Sequence, residues 1–106
     1  ASLGNGSWVM GWMDGVYAFA PPANGTGAAT QLWKYPTGLV LSSPAVGGDG
    51  TVFVGSSDGN FYAIDGATGQ LKWKHGVGAA VNSSPAIGSD GSVYFAADDG
   101  NLYALR

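Results

Sequence analysis

Residues 42–69, SSPAVGGDGTVFVGSSDGNFYAIDGATG, decide the fold of this chain because most of this stretch recurs later in the chain. The stretch SSPAIGSDGSVYFAADDGNLYALR begins at Ser83, a shift of 41 residues from Ser42, and aligns without a gap. Such self-similarity is the mark of a repeat architecture. A weaker third copy opens the chain, where ASLGNGSWVMGWMDG (1–15) matches AVGGDGTVFVGSSDG (45–59). The sequence therefore predicts three repeats: 1–41, 42–82 and an incomplete 83–106.

Each repeat is predicted to form four short antiparallel strands. The second repeat has four runs rich in β-branched and aromatic residues, at about Leu41–Val46, Thr51–Gly55, Asn60–Asp65 and Leu71–His75. Asp-Gly pairs at 49–50 and 58–59 separate such runs and favour tight hairpin turns. Four strands in about 41 residues match a β-propeller blade. We therefore expect an all-β chain, a single partial propeller domain over 1–106 with about two and a half four-stranded antiparallel blades.

The composition argues against several classes of function. The chain has seven acidic residues, all Asp, against four basic ones, and its net charge is −3. This balance argues against a nucleic-acid site or a polybasic membrane anchor. The absence of cysteine excludes disulfides, thiolate metal sites and cysteine nucleophiles. No apolar run approaches the roughly 20 residues that cross a bilayer, so no membrane span is expected.

The second repeat also carries a specific motif. Residues 63–73, AIDGATGQLKW, have the form A-x-D-x-x-T-G-x-x-x-W. This resembles the tryptophan-docking motif of pyrroloquinoline-quinone-like β-propeller repeats, found in quinoprotein alcohol dehydrogenases and in the outer-membrane assembly lipoprotein of Gram-negative bacteria. The similarity covers essentially the whole chain. It implies that Trp73 is a wedge between blades, over a turn formed by four other motif residues: Ala63, Asp65, Thr68 and Gly69.

The first repeat departs from this motif. It keeps a tryptophan at the docking position, Trp33, but has Ala20 where the motif has Asp. A longer loop over 21–30 replaces the Thr-Gly turn. The resemblance implies an inter-blade role for Trp33 as well.

Candidate catalytic and metal-binding residues are few. All the aspartates except Asp98 precede a glycine at recurring places, which favours turn residues over calcium ligands or an acid–base pair. The single histidine, His75, has no specified partner and is predicted to be a surface residue. The serine pairs at 42–43 and 83–84 precede a proline and are interpreted as strand-entry residues. The sequence thus assigns no catalytic, cofactor-binding or metal-binding residue, and no cofactor.

The first repeat is rich in aromatic residues: Trp8, Trp12, Tyr17 and Trp33. Packing between blades is the favoured interpretation, and a platform for a flat ligand is the alternative. Three N-x-S/T sequons, at Asn5, Asn24 and Asn82, are possible N-glycosylation sites or simply good turn sequences. Low charge, the absence of cysteine and the family resemblance favour an extracellular or periplasmic location.

The function expected from the sequence is a non-catalytic propeller scaffold or protein-interaction segment of a larger secreted or surface protein. Its partners would be other proteins or the remaining blades of the same polypeptide. One alternative is a fragment of a calcium- and pyrroloquinoline-quinone-dependent dehydrogenase. The other is a self-assembling fragment, a homo-oligomer in which copies complete one another's blades.

Overall fold

The computed structural model describes the chain over four ranges: 2–3, 6–22, 27–40 and 42–105. These residues form three antiparallel sheets of three, four and three strands. The strands are β1 (Trp8–Gly11), β2 (Gly15–Ala20), β3 (Thr30–Pro36), β4 (Ala45–Val46), β5 (Thr51–Gly55), β6 (Asn60–Asp65), β7 (Leu71–Gly76), β8 (Ala86–Ile87), β9 (Val93–Ala96) and β10 (Leu102–Leu105). Blade 1 is β1–β3, blade 2 is β4–β7 and blade 3 is β8–β10. The predicted all-β architecture is confirmed.

Blade 2 shows the full four-strand pattern that the sequence predicts. β5 and β6 have the predicted bounds, and β7 is one residue longer than expected. The first strand is shorter than predicted and covers only Ala45–Val46. Pro44 precedes it and has no N–H to donate to the ladder, which explains why pairing begins after it. Leu41, the predicted start of this strand, lies outside the described residues.

Blades 1 and 3 each show three strands within the described part of the chain. In blade 1 an isolated bridge joins Ser2 to Trp8 on the free side of β1, where a first strand would lie. In blade 3 the last described strand is β10, which pairs with β9. The described residues contain no helix that could cross a membrane.

The Asp-Gly pairs form the hairpin turns that the sequence predicts. Gly50 and Gly59 have φ angles of 86° and 91°, which a residue with a side chain rarely adopts. Asp49 lies just before Gly50, and its carboxylate accepts a hydrogen bond from the backbone N–H of Thr51 at 3.0 Å. The aspartate therefore stabilises the turn and the glycine permits it.

The hydrophobic core lies between blades. One cluster joins blade 1 to blade 2: Val9, Val16, Ala18, Trp33, Val40, Val52, Val54, Tyr62 and Ile64. A second joins blade 2 to blade 3: Phe61, Val81, Val93, Phe95 and Ala97. Because residues alternate sides along a strand, blade 2 buries one set of side chains against each neighbour. A blade of this kind obtains its core from its neighbours.

Candidate functional site

A tryptophan joins blade 1 to blade 2. Trp33, on β3, is only 8% exposed, and its indole Nε1 donates a hydrogen bond to the carbonyl oxygen of Gly66 at 2.8 Å. Gly69, in the same turn of blade 2, has a φ of 78° and lies directly under the indole. A Cβ at Gly69 would lie 2.6 Å from Cγ of Trp33, so the ring requires a glycine there.

This arrangement corrects the assignment made from the motif. The sequence placed Trp73 over the turn of its own repeat, but the structure places Trp33 of the preceding blade there. Trp73 is 37% exposed and packs against Phe53 and Phe61, whose ring centroids lie 6.1 and 6.2 Å from its own. The two assignments differ because the side chain of the docking tryptophan points towards the next blade along the chain, and not towards the turn of its own blade. In blade 3 no described residue corresponds to Gly66 or Gly69.

The other motif residues shape the turn that receives Trp33. The side chain of Asp65 accepts the N–H of Ala67 at 2.9 Å, and the Asp65 carbonyl oxygen accepts the N–H of Gly69 at 2.7 Å. Thr68 accepts the N–H of Gln70 through its hydroxyl oxygen at 3.3 Å. Ala63 is fully buried in β6 opposite Trp73. Repeat 1 lacks the Asp and the Thr-Gly turn of the motif, but this does not disturb Trp33, because Trp33 docks on the turn of repeat 2.

Five aspartates are turn residues, as the sequence predicts. Each accepts the backbone N–H of the residue two positions later, at 2.9–3.0 Å: Asp49, Asp58, Asp65, Asp90 and Asp99. The backbone N–H of Thr51 lowers the pKa of Asp49, and that of Ser92 lowers the pKa of Asp90. Asp14 instead binds Lys34 at 2.8 Å, and this contact lowers its pKa. These carboxylates are therefore already bound within the fold.

A tyrosine–aspartate hydrogen bond recurs in each blade, and it was not predicted from the sequence. The pairs are Tyr17–Asp14 at 2.7 Å, Tyr62–Asp58 and Tyr103–Asp99 at 2.6 Å, with the tyrosine hydroxyl donating. Burial, with the hydrogen bond to Asp58 as a second cause, raises the pKa of Tyr62 to about 12. Burial opposes ionisation of Asp58, but hydrogen bonds from Tyr62 and Asn60 outweigh it and lower its pKa. The recurrent four-residue spacing of Asp and Tyr in repeats 2 and 3 was the available signal.

The described residues show no arrangement suited to metal or acid–base chemistry. No three His or Asp side chains gather there as a metal site. His75 lies exposed on the outermost strand of blade 2. Ser83 exchanges hydrogen bonds with the backbone of Ala96, both at 2.9 Å, and Ser42 has a buried hydroxyl without a hydrogen-bond partner. Among the described residues, no serine lies within hydrogen-bond distance of His75, so these side chains do not form a pair of nucleophile and general base.

One end of the blades gathers turns and connectors, and we call it the loop face. It contains the turns 12–14, 56–59 and 97–100 and the connectors 37–40 and 77–84. The N–H of Ser57 donates to Leu39 O at 2.8 Å, and the N–H of Val40 donates to Trp12 O at 3.0 Å. Each connector is thus bonded to the turns beside it.

The loop face carries both a polar and an apolar part. Ser57 donates to Oδ1 of Asn82 at 2.9 Å, and Nδ2 of Asn82 donates to Asp98 at 2.9 Å. The side-chain amide of Asn82, one of the three sequon asparagines, is therefore hydrogen-bonded within the fold. The other two, Asn5 and Asn24, lie outside the described residues. On blade 1 the same face exposes Trp12 by 57% and Met13 by 71%.

The aromatic residues of repeat 1 divide between two environments. Trp33 packs between blades, whereas Trp8 and Trp12 are exposed. The rings of Tyr17 and Phe19 lie parallel, 6.0 Å apart, on the side of blade 1 that faces away from blade 2. With Met10 and Trp12 they line an apolar cleft of about 330 Å³. Inter-blade packing is therefore observed for Trp33 alone among the three tryptophans.

Comparison with known proteins identifies the family to which the chain is similar. A family model described as outer membrane protein assembly factor BamB matches residues 13–106. The uncharacterized protein YxaL of Bacillus subtilis (strain 168) is 43% identical over 58 residues, which are 54% of this chain and 14% of YxaL.

Two solved structures share the fold. BamB from Moraxella catarrhalis superposes with a TM-score of 0.65 at 22% identity, over 92% of this chain and 32% of that one. A europium-containing methanol dehydrogenase superposes with a TM-score of 0.64 at 19% identity, over 91% of this chain and 23% of that one. The chain thus spans at most about a third of the length of these relatives.

Proposed function

The chain belongs to the BamB-like family of pyrroloquinoline-quinone-type propeller repeats, and we propose that it is a non-catalytic scaffold that presents a protein-binding surface. In this proposal the blades hold the loop face rigid, and the loop face binds a protein partner. The observation that carries the proposal is the docking of Trp33 on Gly66 and Gly69, which joins two blades without using any titrating group.

The reactive side chains support a structural role. Five aspartates hold turn N–H groups, Asp14 binds Lys34, and Asp98 binds Asn82. A general acid, base or metal ligand must keep a lone pair or proton for its substrate. Side chains committed to turns are poorly placed for that task, which favours a scaffold over an enzyme.

The apolar part of the loop face is the best-supported partner site. Trp12 and Met13 stand where blade 2 has Ser56 and Ser57, and both are largely exposed. Leu39, on the adjoining connector, is also exposed. Large apolar and aromatic side chains are the residues that anchor protein interfaces. Blade 1 therefore differs from blade 2 in having such anchors on this face.

The location we propose is extracellular or periplasmic, with the chain as a segment of a larger secreted or surface protein. Low charge and the absence of cysteine support this location. The family description, an outer membrane protein assembly factor, agrees with that setting.

The test compares the wild-type chain with the Trp12→Ser/Met13→Ser double variant. This variant gives blade 1 the serine pair of blade 2, so it removes the anchors with a turn sequence that the fold already uses. Both chains are immobilised, exposed to extract from the source organism and analysed by quantitative mass spectrometry. A defined partner that the wild type retains and the double variant loses is the expected result.

The same samples test for an enzyme. Addition of pyrroloquinoline quinone with calcium is expected to leave the melting temperature unchanged. A rise in melting temperature with this pair, or retention of the same proteins by both chains, would overturn the proposal.

A further inference from the structure

The outermost strand of blade 2 has a free edge. In the strand order β4-β5-β6-β7, β7 is the last, and among the described residues no strand pairs with its outer side. All six residues of β7 are exposed. Blades 1 and 3 pack on the two sides of blade 2 and leave this edge open. Because the blades of a propeller stack side by side, further blades would not cover it.

The free edge presents backbone groups at two residues. Just after β7, the N–H of Val77 donates to the carbonyl oxygen of Gly59 at 2.8 Å, towards the inside of the sheet. Backbone groups alternate sides along an antiparallel strand, so the N–H and C=O groups of Lys74 and Gly76 point to the outer side. Such a row of unpaired groups is a template for an added strand.

The corresponding edge of blade 1 is less suited to pairing. The outermost strand β3 ends at Pro36, where β7 has Gly76. Proline has no N–H to donate to an added strand. Lys34, which stands where β7 has Lys74, is already bound to Asp14 at 2.8 Å. Blade 2 thus differs from blade 1 in both the backbone and the charge of its outer edge.

The charge of β7 is opposite to that of the whole chain. β7 contains two of the three lysines, the only histidine and no acidic residue, although the net charge of the chain is −3. Lys72 binds Asp49 at 3.5 Å, but within the described ranges neither Lys74 nor His75 forms an ion pair. Opposite charges on paired strands are stabilising and like charges destabilising. The edge therefore disfavours a basic strand and favours an acidic one.

We propose that the outer edge of β7 binds an extended acidic segment of a partner protein as an added strand. The backbone of the segment bonds with Lys74 and Gly76, and one of its carboxylates lies opposite Lys74. In complexes of this kind the main-chain hydrogen bonds provide affinity and the side chains provide specificity. The site uses no residue of the loop face, so it goes beyond the scaffold function.

The test is an NMR titration of the isotope-labelled chain with two capped heptapeptides, TVDVDVT and its lysine counterpart TVKVKVT. We expect the acidic peptide to bind about tenfold more tightly, because its carboxylates meet Lys74. On binding, the amide signals of Lys74 and Gly76 should shift, and both amides should become protected from hydrogen exchange. Equal affinities for the two peptides, or protection at other residues only, would overturn the proposal.

Two variants test the edge itself. Gly76→Pro removes the outward N–H and introduces the residue that blade 1 has at this position, so we expect the blade to fold. Lys74→Gln removes the charge and leaves the backbone groups in place. Each variant should bind the acidic peptide about threefold to tenfold more weakly than the wild type.

The matched control is Lys34→Gln, which removes a lysine from the equivalent position of β3 and should leave the affinity unchanged. Circular dichroism of each variant checks that the blades remain folded. Wild-type affinity in Lys74→Gln, or an equal loss in Lys34→Gln, would contradict the assignment to β7. Trp12 and Met13 are intact in all these variants, so peptide binding at β7 and partner capture at the loop face fail separately.

Discussion

Trp33 and Trp73 occupy equivalent positions on the outermost strands of blades 1 and 2, yet Trp33 is 8% exposed and Trp73 is 37% exposed. Both stand opposite the alanine of their own blade, Ala18 and Ala63. The difference arises in the following blade: Gly66 and its turn cover Trp33, and the described part of blade 3 has no such turn to cover Trp73. The burial of a tryptophan at this position thus depends on the turn of the following blade.

This difference predicts unequal effects of truncation. Trp33→Ala should lower the free energy of unfolding by about 3–5 kcal/mol, because it opens a cavity between blades and leaves Gly66 without its donor. Trp73→Ala should cost only about 1–2 kcal/mol. Urea denaturation followed by circular dichroism measures both. Equal losses for the two variants would contradict the docking geometry.

Gly69 provides a second test of the docking turn. Gly69→Ala should destabilise the chain because its φ is 78° and the new methyl would lie 2.6 Å from Trp33. Gly78→Ala is the matched control, since Gly78 has a φ of 84° with open space around it. Backbone strain alone costs about 1 kcal/mol, so Gly69→Ala should exceed the control by about 1–3 kcal/mol. Equal melting temperatures would show that the indole does not rest on Gly69.

The aromatic stack between blades 2 and 3 should show measurable coupling. Phe61 and Phe95 lie with ring centroids 4.0 Å apart and planes 7° apart. A double-mutant cycle with Phe61→Leu and Phe95→Leu should give a coupling energy of about 0.5–1.5 kcal/mol. Additive losses would indicate that the rings contribute only buried area.

The Tyr62–Asp58 pair predicts a dependence of stability on pH at both extremes. The pKa of Tyr62 rises to about 12 in the folded chain, so the folded state keeps its proton where the unfolded state loses it. Its stabilising contribution should be complete below about pH 10 and disappear as pH rises towards 12. The pKa of Asp58 is lowered, so its contribution should be lost as pH falls below about 4.

Chemical denaturation across pH checks this dependence, with Tyr62→Phe as the test and Tyr94→Phe as the control. Tyr62→Phe should flatten the alkaline decline, because the phenol that titrates is gone. Tyr94→Phe replaces a tyrosine on the exposed side of β9 and should leave more of the decline in place. A steep alkaline decline that survives in Tyr62→Phe would mean that another group causes it.

Much of the fold follows from local signals. The bounds of β5 and β6 were predictable because β-branched and aromatic runs stop at Asp-Gly turns, whose chemistry is local. The shortening of the first strand to Ala45–Val46 could be explained afterwards by Pro44 but was not predicted. The role of the aspartates was also local, because each binds an N–H two residues away.

The candidate site was less predictable, because its contacts cross between repeats. The motif correctly identified the turn at Gly69, yet the tryptophan that uses it comes from the preceding repeat. A spacing within one repeat cannot show which neighbour a side chain faces. The same limit applies to Trp8 and Trp12, whose residue type suggests burial but whose positions lie on open faces.

The sequence by itself determined the repeat, the strands, the turns and the resemblance to a propeller family, since all of these depend on residues close together in the chain. Only the tertiary structure decided that Trp33 docks on the turn of blade 2, and that Trp8 and Trp12 are exposed in the described part of the chain. The physical reason is that a blade buries its sides only against its neighbours. Burial of these side chains is therefore decided by which blade lies next to them.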